Sequence, residues 1–257
     1  MFRVLQFNMQ FGMGWDPASP DNVPFDLDRT IAEINRHDAD IILLQEVEHA
    51  QVGGAQVEPP PNYSLIKAAL TSHDSWFSYP KADPRELPFG IGLAIFSKTP
   101  LADKLRIDVP SPAIEFEFGG KKTTPTDRLL IGARTSIGGR EVQLFNTHLL
   151  AFFMLGSSST MFPWQRDLVA DRLASSDIPT ILGGDFNVSQ HSSLVEQFAE
   201  FGYASVQYRV PTWHRRPFVL DHVFHNSGVR CTSHSVVNSN ASDHLPVVAE
   251  FEFSPSG

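Results

Sequence analysis

The sequence predicts an α/β protein in which two packed mixed sheets are flanked by helices. Strand-like apolar runs recur from one end of the chain to the other, some separated by helical patterns and others by hairpin signals. Both halves also run strand, helix, then an apolar strand ending in an acid, Glu46 in the first and Asp185 in the second. The 257 residues are 42% hydrophobic, enough for a sizeable core. No linker-like stretch divides them, so residues 1–257 are read as a single domain.

Phe2–Asn8 is the first expected strand, rich in Val, Leu and Phe, with polar Gln6 and Asn8 on one face. Residues 10–24 carry Gly12, Gly14, Pro17, Pro20 and Pro24 and read as loop. A helix starts near Asp26: Leu27, Ile31 and Ile34 form a buried stripe, and Asp26 and Asp28 suit the N-terminal turn. Asp40 to Glu46 reads as a strand buried on both faces. Gln51–Asn62, with Gly53, Gly54 and consecutive prolines, is loop, and Ser64 is expected to cap a short helix through Leu70.

Strands are expected at Trp76–Tyr79 and Gly92–Ser97, with Lys104–Val109 and Ala113–Phe118 as an alternating pair. Arg128–Thr135 and Glu141–His148 flank Gly138-Gly139, a hairpin signal. Trp164–Leu173 reads as a helix with Leu168, Val169 and Leu173 inward. Ile181 and Leu182 end a buried strand, and Gly183 and Gly184 are expected to turn the backbone and leave room for a ligand. A helix around Leu194–Phe201 and strands at Phe218–Phe224, Val229–Val237 and Leu245–Phe253 complete the reading.

The net charge of −9 argues against a non-specific nucleic-acid binder, yet is compatible with an enzyme whose metal ions offset local negative charge. The lone Cys231 excludes an internal disulfide, fits a reducing compartment, and is read as a small core or strand residue. Met1 runs straight into a strand pattern without a signal-peptide form, and the longest apolar run, Leu149 to Leu155, is far short of the ~20 residues a bilayer span needs. A soluble cytoplasmic protein with no obligate protein partner is the expectation.

Six segments place metal-competent polar groups just past strand-like runs: Gln6-Phe7-Asn8, Leu44-Gln45-Glu46, Asn146-Thr147-His148, Gly184-Asp185-Phe186-Asn187, Leu220-Asp221-His222 and Ser242-Asp243-His244. Each alone is an ordinary turn, cap or hydrogen-bond anchor. Together they supply hard oxygen ligands (Asn8, Glu46, Asp243), a water-orienting pair (Asp185, Asn187), two histidines (His148, His244) and a carboxylate to orient one of them (Asp221). That is the inventory of metal-assisted phosphate-ester hydrolysis.

These same segments, in this order, resemble the endonuclease/exonuclease/phosphatase superfamily of deoxyribonuclease I-like phosphohydrolases. The strand Gly92-Leu93-Ala94-Ile95-Phe96-Ser97 and Arg128, opening the strand pair before Thr147-His148, resemble further family features. The resemblance implies a four-layer α/β/β/α sandwich with the site where the two sheets open at one edge. It implies Glu46 as the principal Mg²⁺ ligand, Mn²⁺ as a substitute ion, Asn8 beside it on metal or phosphate, and Asp243 as a further metal-site carboxylate. It implies Asp185 and Asn187 on the attacking water or phosphate, His244 as the acid/base oriented by Asp221, and His148 as a second histidine. Glu86 is the candidate carboxylate behind His148.

Residues 149–162, rich in Phe, Leu and Met with interrupting Gly and Ser, fall between Thr147-His148 and the next helix. They are expected to fold back into the core or pack on a second subunit, the alternative being a lid or a lipid contact. Tyr208, Trp213, His214, Arg215 and Arg216 form an aromatic-basic cluster before Asp221, suited to a phosphate or nucleobase or else to a solvated loop. Three functions follow in order: a phosphoesterase on a small or lipid-like phosphate ester, a nuclease with the same chemistry, and a non-catalytic module on the same fold.

Overall fold

The computed structural model describes residues 1–85 and 91–255. Its elements in chain order are β1 (Phe2–Asn8), α1 (Leu27–Asn35), β2 (Ile41–Gln45), α2 (Pro61–Ala69), β3 (Asp74–Ser78), β4 (Leu93–Ser97), β5 (Ala102–Val109), β6 (Phe116–Phe118) and β7 (Lys121–Thr123). They continue with β8 (Arg128–Ile137), β9 (Arg140–His148), α3 (Trp164–Ala174), β10 (Thr180–Asp185), α4 (Ser192–Glu200), β11 (Ala204–Ser205), β12 (Asp221–His225), β13 (Val229–Val236) and β14 (Val247–Phe253). Two six-stranded sheets run β13-β14-β1-β2-β4-β3 and β11-β12-β10-β9-β8-β5. Each is antiparallel except for one pair, β1 with β2 and β9 with β10.

Side-chain alternation along the strands builds the layers. In β1, Val4 enters the core between the sheets, whereas Leu5 and Phe7 point outward to Leu27 and Ile34 of α1 and Ile66 of α2. In β10, Ile181 faces the other sheet and Leu182 packs with Val169 and Leu173 of α3 and Phe198 of α4. The result is helix, sheet, sheet, helix. No helix among the described residues is long and apolar enough to cross a membrane.

Most expected elements are present, and the departures have local causes. Asp26 caps α1, its carboxylate accepting from the Arg29 amide at 3.1 Å, a contact worth roughly 1 kcal/mol. Ser64 does not cap α2: Pro60 and Pro61 preset the backbone for an earlier start, and the Ser64 hydroxyl donates back to the Pro60 carbonyl at 2.6 Å. The strand at Lys104–Val109 pairs with β8 rather than with residues 113–118, of which only β6 is strand, paired with β7. Gly138 and Gly139 take φ of 58° and 79°, and β8 and β9 pair in register around them as the hairpin signal requires. Phe218 to Leu220 stay outside β12 because the Thr212 hydroxyl takes the Leu220 and Asp221 amides, each at 3.0 Å.

Gly183 and Gly184 do not turn the chain; both lie inside β10. A Cβ on Gly183 would stand 2.6 Å from Leu43 Cδ1, and one on Gly184 2.4 Å from the Thr147 carbonyl oxygen. Their absent side chains let β10 approach β2 of the other sheet and β9 of its own.

Candidate active site

The period of two that sorts the core also sorts the polar residues. Val4, Leu43, Leu144, Ile181 and Val223 face the inter-sheet core. Counting by twos along the same strands, Asn8, Gln45, His148, Asp185 and Asp221 share that face. Register then levels them: Asn8 pairs Gln45, and Asp185 lies between His148 and Asp221.

Just beyond β2 and β10 the backbone enters the left-handed region at Glu46 (φ 50°) and Asn187 (φ 52°). Asn tolerates this; Glu does so at a cost of roughly 1 kcal/mol or more. Hydrogen bonds hold both turns. The Phe11 amide donates to the Glu46 carbonyl at 2.7 Å, and the Asn187 amide donates to Asp185 Oδ1 at 2.9 Å.

Asp185 Oδ2 is the hub. Asn8 Nδ2 donates to it and to Glu46 Oε1, each at 3.0 Å. His148 Nε2 stands 3.6 Å from Asp185 Oδ2 and 3.9 Å from Glu46 Oε1; His244 Nε2 stands 3.7 Å from Asp185 Oδ2. Asn187 Nδ2 donates to the Leu149 carbonyl at 3.0 Å and lies 3.0 Å from His148 Nε2. His244 Nδ1 meets Asp221 Oδ2 at 2.7 Å.

A buried chain of amides supports Asp221 from behind. Gln6 Nε2 donates to Asp221 Oδ1 at 3.1 Å and to Gln45 Oε1 at 2.7 Å. Gln45 Nε2 donates to Asn146 Oδ1 at 2.7 Å, and Asn146 Nδ2 donates to the Leu44 and Ala94 carbonyls. Sequence reading gave Gln6, Gln45 and Asn146 no role. Their signal was that each sits two residues before, or directly beside, a candidate site residue on the same strand face.

Burial pushes the Glu46 carboxyl up to about 7 and the Asp185 carboxyl up to about 8, the latter helped by the charges of Asp221 and Glu46. Glu46 keeps 19% of its side chain exposed, so desolvation acts on it less than on Asp185, which keeps 1%. Burial and the charges of Arg128 and His244 hold His148 well below the usual histidine range. Burial also pulls His244 down, but the carboxylates of Asp221, Asp185 and Asp243 outweigh it and hold the ring well above that range. Ligand atoms of Glu46, His148 and Asp185 lie within 4.8 Å of one another, as do those of Asp185, Asp221 and His244. A buried carboxylate and a partly exposed one bridged by a neutral amide lack a positive partner, and a hard divalent cation is the partner that donor set fits.

The family model for the endonuclease/exonuclease/phosphatase family matches residues 5–244. The chain belongs to this family. Members of the endonuclease/exonuclease/phosphatase family are metal-dependent phosphoric ester hydrolases. A UPF0294 protein of Yersinia pseudotuberculosis is 33% identical over 120 residues, 44% of this chain and 44% of its own length. The chain thus matches less than half the length of that curated relative. The fold matches an endonuclease/exonuclease/phosphatase from Beutenbergia cavernae, with TM-score 0.71, 24% identity, and coverage of 98% of this chain and 71% of that one. It also matches a mannosyl-6-phosphatase of Bacteroides thetaiotaomicron, with TM-score 0.67, 17% identity, and coverage of 98% and 100%.

Not every candidate residue of this family member reaches the hub. Asp243 Oδ2 accepts from Trp213 Nε1 at 3.1 Å and from Arg215 Nε at 3.0 Å. Arg215 also binds Asp21 Oδ1 at 2.7 Å and lies over the Trp15 ring. His214 turns away, stacked on Trp15 with its Nε2 on the Ser239 carbonyl. Trp213, His214 and Arg215 therefore brace the loop carrying Asp243 and His244, while Arg216 lies over the Phe218 ring and Tyr208 is exposed. Arg128 acts on Glu46 and His148 through its charge. His148 Nδ1 is buried without a hydrogen-bond partner among the described residues, and Glu86 lies outside them. The apolar insert divides: Leu149, Leu150 and Phe152 are buried, Met154 and Met161 are exposed, and Phe153 packs on Trp213 and Phe218.

Proposed function

We propose that the chain, acting as one catalytic unit, hydrolyses a small or lipid-like phosphate ester in a Mg²⁺-dependent reaction, with Mn²⁺ as a substitute, by in-line attack of water. The observation that carries this reading is Asp185, a buried carboxylate set between Asn8, two histidines and the Asn187 amide. Glu46 and Asn8 would hold the ion with Asp243 as a further carboxylate nearby, and the ion supplies positive charge against the anionic phosphate and open positions for its oxygens.

Asp185 orients the attacking water and, in its ionised form, takes the water's proton; burial raises its proton affinity, which strengthens it as a base. Asn187, anchored by the Leu149 carbonyl, holds that water or a phosphate oxygen. His244, kept cationic by its carboxylate neighbours, donates a proton to a non-bridging or leaving oxygen from Nε2, while Asp221 occupies Nδ1 and fixes the tautomer. His148, held neutral, contacts the phosphate beside Asn187. The phosphatase of the same fold supports a phosphomonoester as one substrate class.

The test is a panel of phosphomonoesters, phosphodiesters, sphingomyelin and DNA with Mg²⁺ or Mn²⁺, run on wild type, Glu46→Ala and His244→Ala. Each variant is expected to lose roughly 10²-fold or more in turnover of the best substrate. Near-wild-type turnover by either removes the assignment, and preference for DNA replaces the small-ester reading with a nuclease.

A further inference from the structure

The loop between β13 and β14, residues 237–246, carries Asp243 and His244. Part of what holds it comes from α1, a helix that sends no side chain to the hub. Thr30 and Glu33, three residues apart on α1, face the loop. The Ser239 hydroxyl donates to Glu33 Oε2 at 2.8 Å, and the Thr30 hydroxyl donates to the Ala241 carbonyl at 3.5 Å. Ala241 itself is buried in the apolar layer that holds Leu27 and Ile34 of α1.

Glu33 is only 6% exposed, and three donors converge on it. Besides Ser239 on Oε2, Arg36 Nε and His37 Nε2 meet Oε1 at 3.0 and 2.8 Å. Burial pushes the Glu33 carboxyl up, but hydrogen bonds from His37 and Ser239 and the charge of Arg36 outweigh it and hold the group below the usual carboxylate range. Arg36 and His37 lie within the next turn and would pair equally well with a solvated Glu33. Burying a carboxylate costs free energy, and the contact it secures here is the one to Ser239, 206 residues away in the chain. Ser239 passes the grip on. Its hydroxyl accepts the Ala241 amide at 3.2 Å, and its carbonyl takes His214 Nε2 at 2.9 Å. The neighbouring Asn240 carbonyl takes the Trp15 amide at 2.9 Å. Residues 239–241 are thus fixed from both sides, immediately before Ser242, Asp243 and His244.

We infer that Glu33 is a positioning residue for the proposed reaction: through Ser239 it fixes the loop so that His244 Nε2 stands 3.7 Å from Asp185 Oδ2, with Asp243 beside it. The inference rests on the proposed hydrolase reading and adds to it a residue outside the site. Removing the Ser239 hydroxyl frees Glu33 and the Ala241 amide at once, so the loop loses its tie to α1 and one of its own bonds together. A shift of about 1 Å in a reacting group can cost on the order of 10²-fold in rate. Neither Glu33 nor Ser239 touches the hub, so the loss falls on kcat and not on substrate binding.

The experiment measures kcat and KM for the full chain with Mg²⁺ and the best substrate of the panel. Ser239→Ala is expected to lose roughly tenfold in kcat with KM little changed. Ser239→Thr keeps the hydroxyl and should restore most of the loss. Glu33→Gln keeps an acceptor for Ser239 and should stay near wild type, whereas Glu33→Leu should fall with Ser239→Ala. The double variant Glu33→Leu, Ser239→Ala should be no slower than the worse single variant, because the two residues form one link. Near-wild-type kcat in Ser239→Ala, a loss that Ser239→Thr leaves in place, or additive losses in the double variant each overturn the inference. Hydrogen exchange at the amides of residues 241–244 reads the loop without substrate. Exchange should quicken in Ser239→Ala and return toward wild type in Ser239→Thr; unchanged exchange overturns the link. Absence of turnover by wild type on the whole panel overturns the hydrolase reading, and with it the role assigned to Glu33, while the exchange data still decide whether the tie to the loop exists.

Discussion

His244 Nδ1 and Asp221 Oδ2 lie 2.7 Å apart, and neither side chain keeps more than 7% of its surface exposed. At that separation the Asp221 carboxylate accepts the Nδ1 proton, leaves Nε2 toward Asp185, and stabilises the imidazolium. Asp221→Asn would present an amide to the same nitrogen and favour the wrong tautomer. We expect kcat to fall roughly 10²–10⁴-fold. The pH profile gives a sharper readout. A raised pKa keeps His244 protonated to higher pH, and an acid loses function as pH rises through its pKa. Removing the carboxylate lowers that pKa, so the alkaline limb of kcat/KM should move to lower pH. An unmoved limb would mean that His244 is not the acid.

Behind Asp221 stands Gln6, with one amide group shared between Asp221 Oδ1 and Gln45 Oε1. Gln6→Leu removes the donor and leaves two buried acceptors short of a partner. The expected loss of stability is roughly 1–3 kcal/mol, read as a lower urea midpoint. Activity should fall further than the folded fraction does, because Asp221 loses the contact that fixes its rotamer. Gln6→Glu should not rescue, since it sets a second carboxylate against Asp221.

Gly183 and Gly184 make the contrast between sequence and structure measurable. Gly184→Ala drives a Cβ into a backbone carbonyl of β9, whereas Gly183→Ala meets the end of the Leu43 side chain, which can rotate. Overpacking costs roughly 1–3 kcal/mol, and Gly184→Ala should sit at the upper end and Gly183→Ala at the lower. Equal urea midpoints for the two variants would contradict the close approach of β10 to β9.

What could be read from residues alone was what alternation and end signals dictate. Asn8, His148 and Asp185 lie four residues after Val4, Leu144 and Ile181, and Asp221 two before Val223, so a shared face with these core residues is implicit in the strand period. Partner choice was not implicit. Lys104–Val109 leaves its sequence neighbour because Pro110 and Pro112 interrupt the strand, and the Pro110 carbonyl is taken by Trp164 Nε1 and Gln165 Nε2 at the start of α3. The two glycines of β10 misled for a related reason: a turn and a close sheet contact ask for the same missing Cβ, and only the neighbour across the gap tells them apart. Likewise the aromatic-basic pattern around Arg215 left a phosphate site and a solvated loop open, and the fold sets Arg215 between Asp243 and Asp21, the latter 194 residues away in the chain.

Metal dependence should be coupled to pH with a definite sign. Burial raises the Glu46 and Asp185 carboxyls to about 7 and about 8, above their ordinary values of 4.5 and 3.8. Between those limits these two groups bind more protons in the ion-free folded state than in the unfolded chain, so their contribution to stability falls as pH rises from about 4 to about 8. A divalent cation competes with those protons, so its affinity should rise over pH 6 to 8, with protons released on binding. Thermal unfolding in chelator should therefore show a lower Tm at pH 8 than at pH 6, and added Mg²⁺ should restore more at pH 8. Glu46→Gln removes one of the two charges. It should raise the Tm of the chelated protein at pH 8, by roughly 2–4 °C for each kcal/mol recovered, and abolish both the Mg²⁺-dependent stabilisation and turnover. The same Mg²⁺ shift in the variant as in wild type would place the ion somewhere other than Glu46.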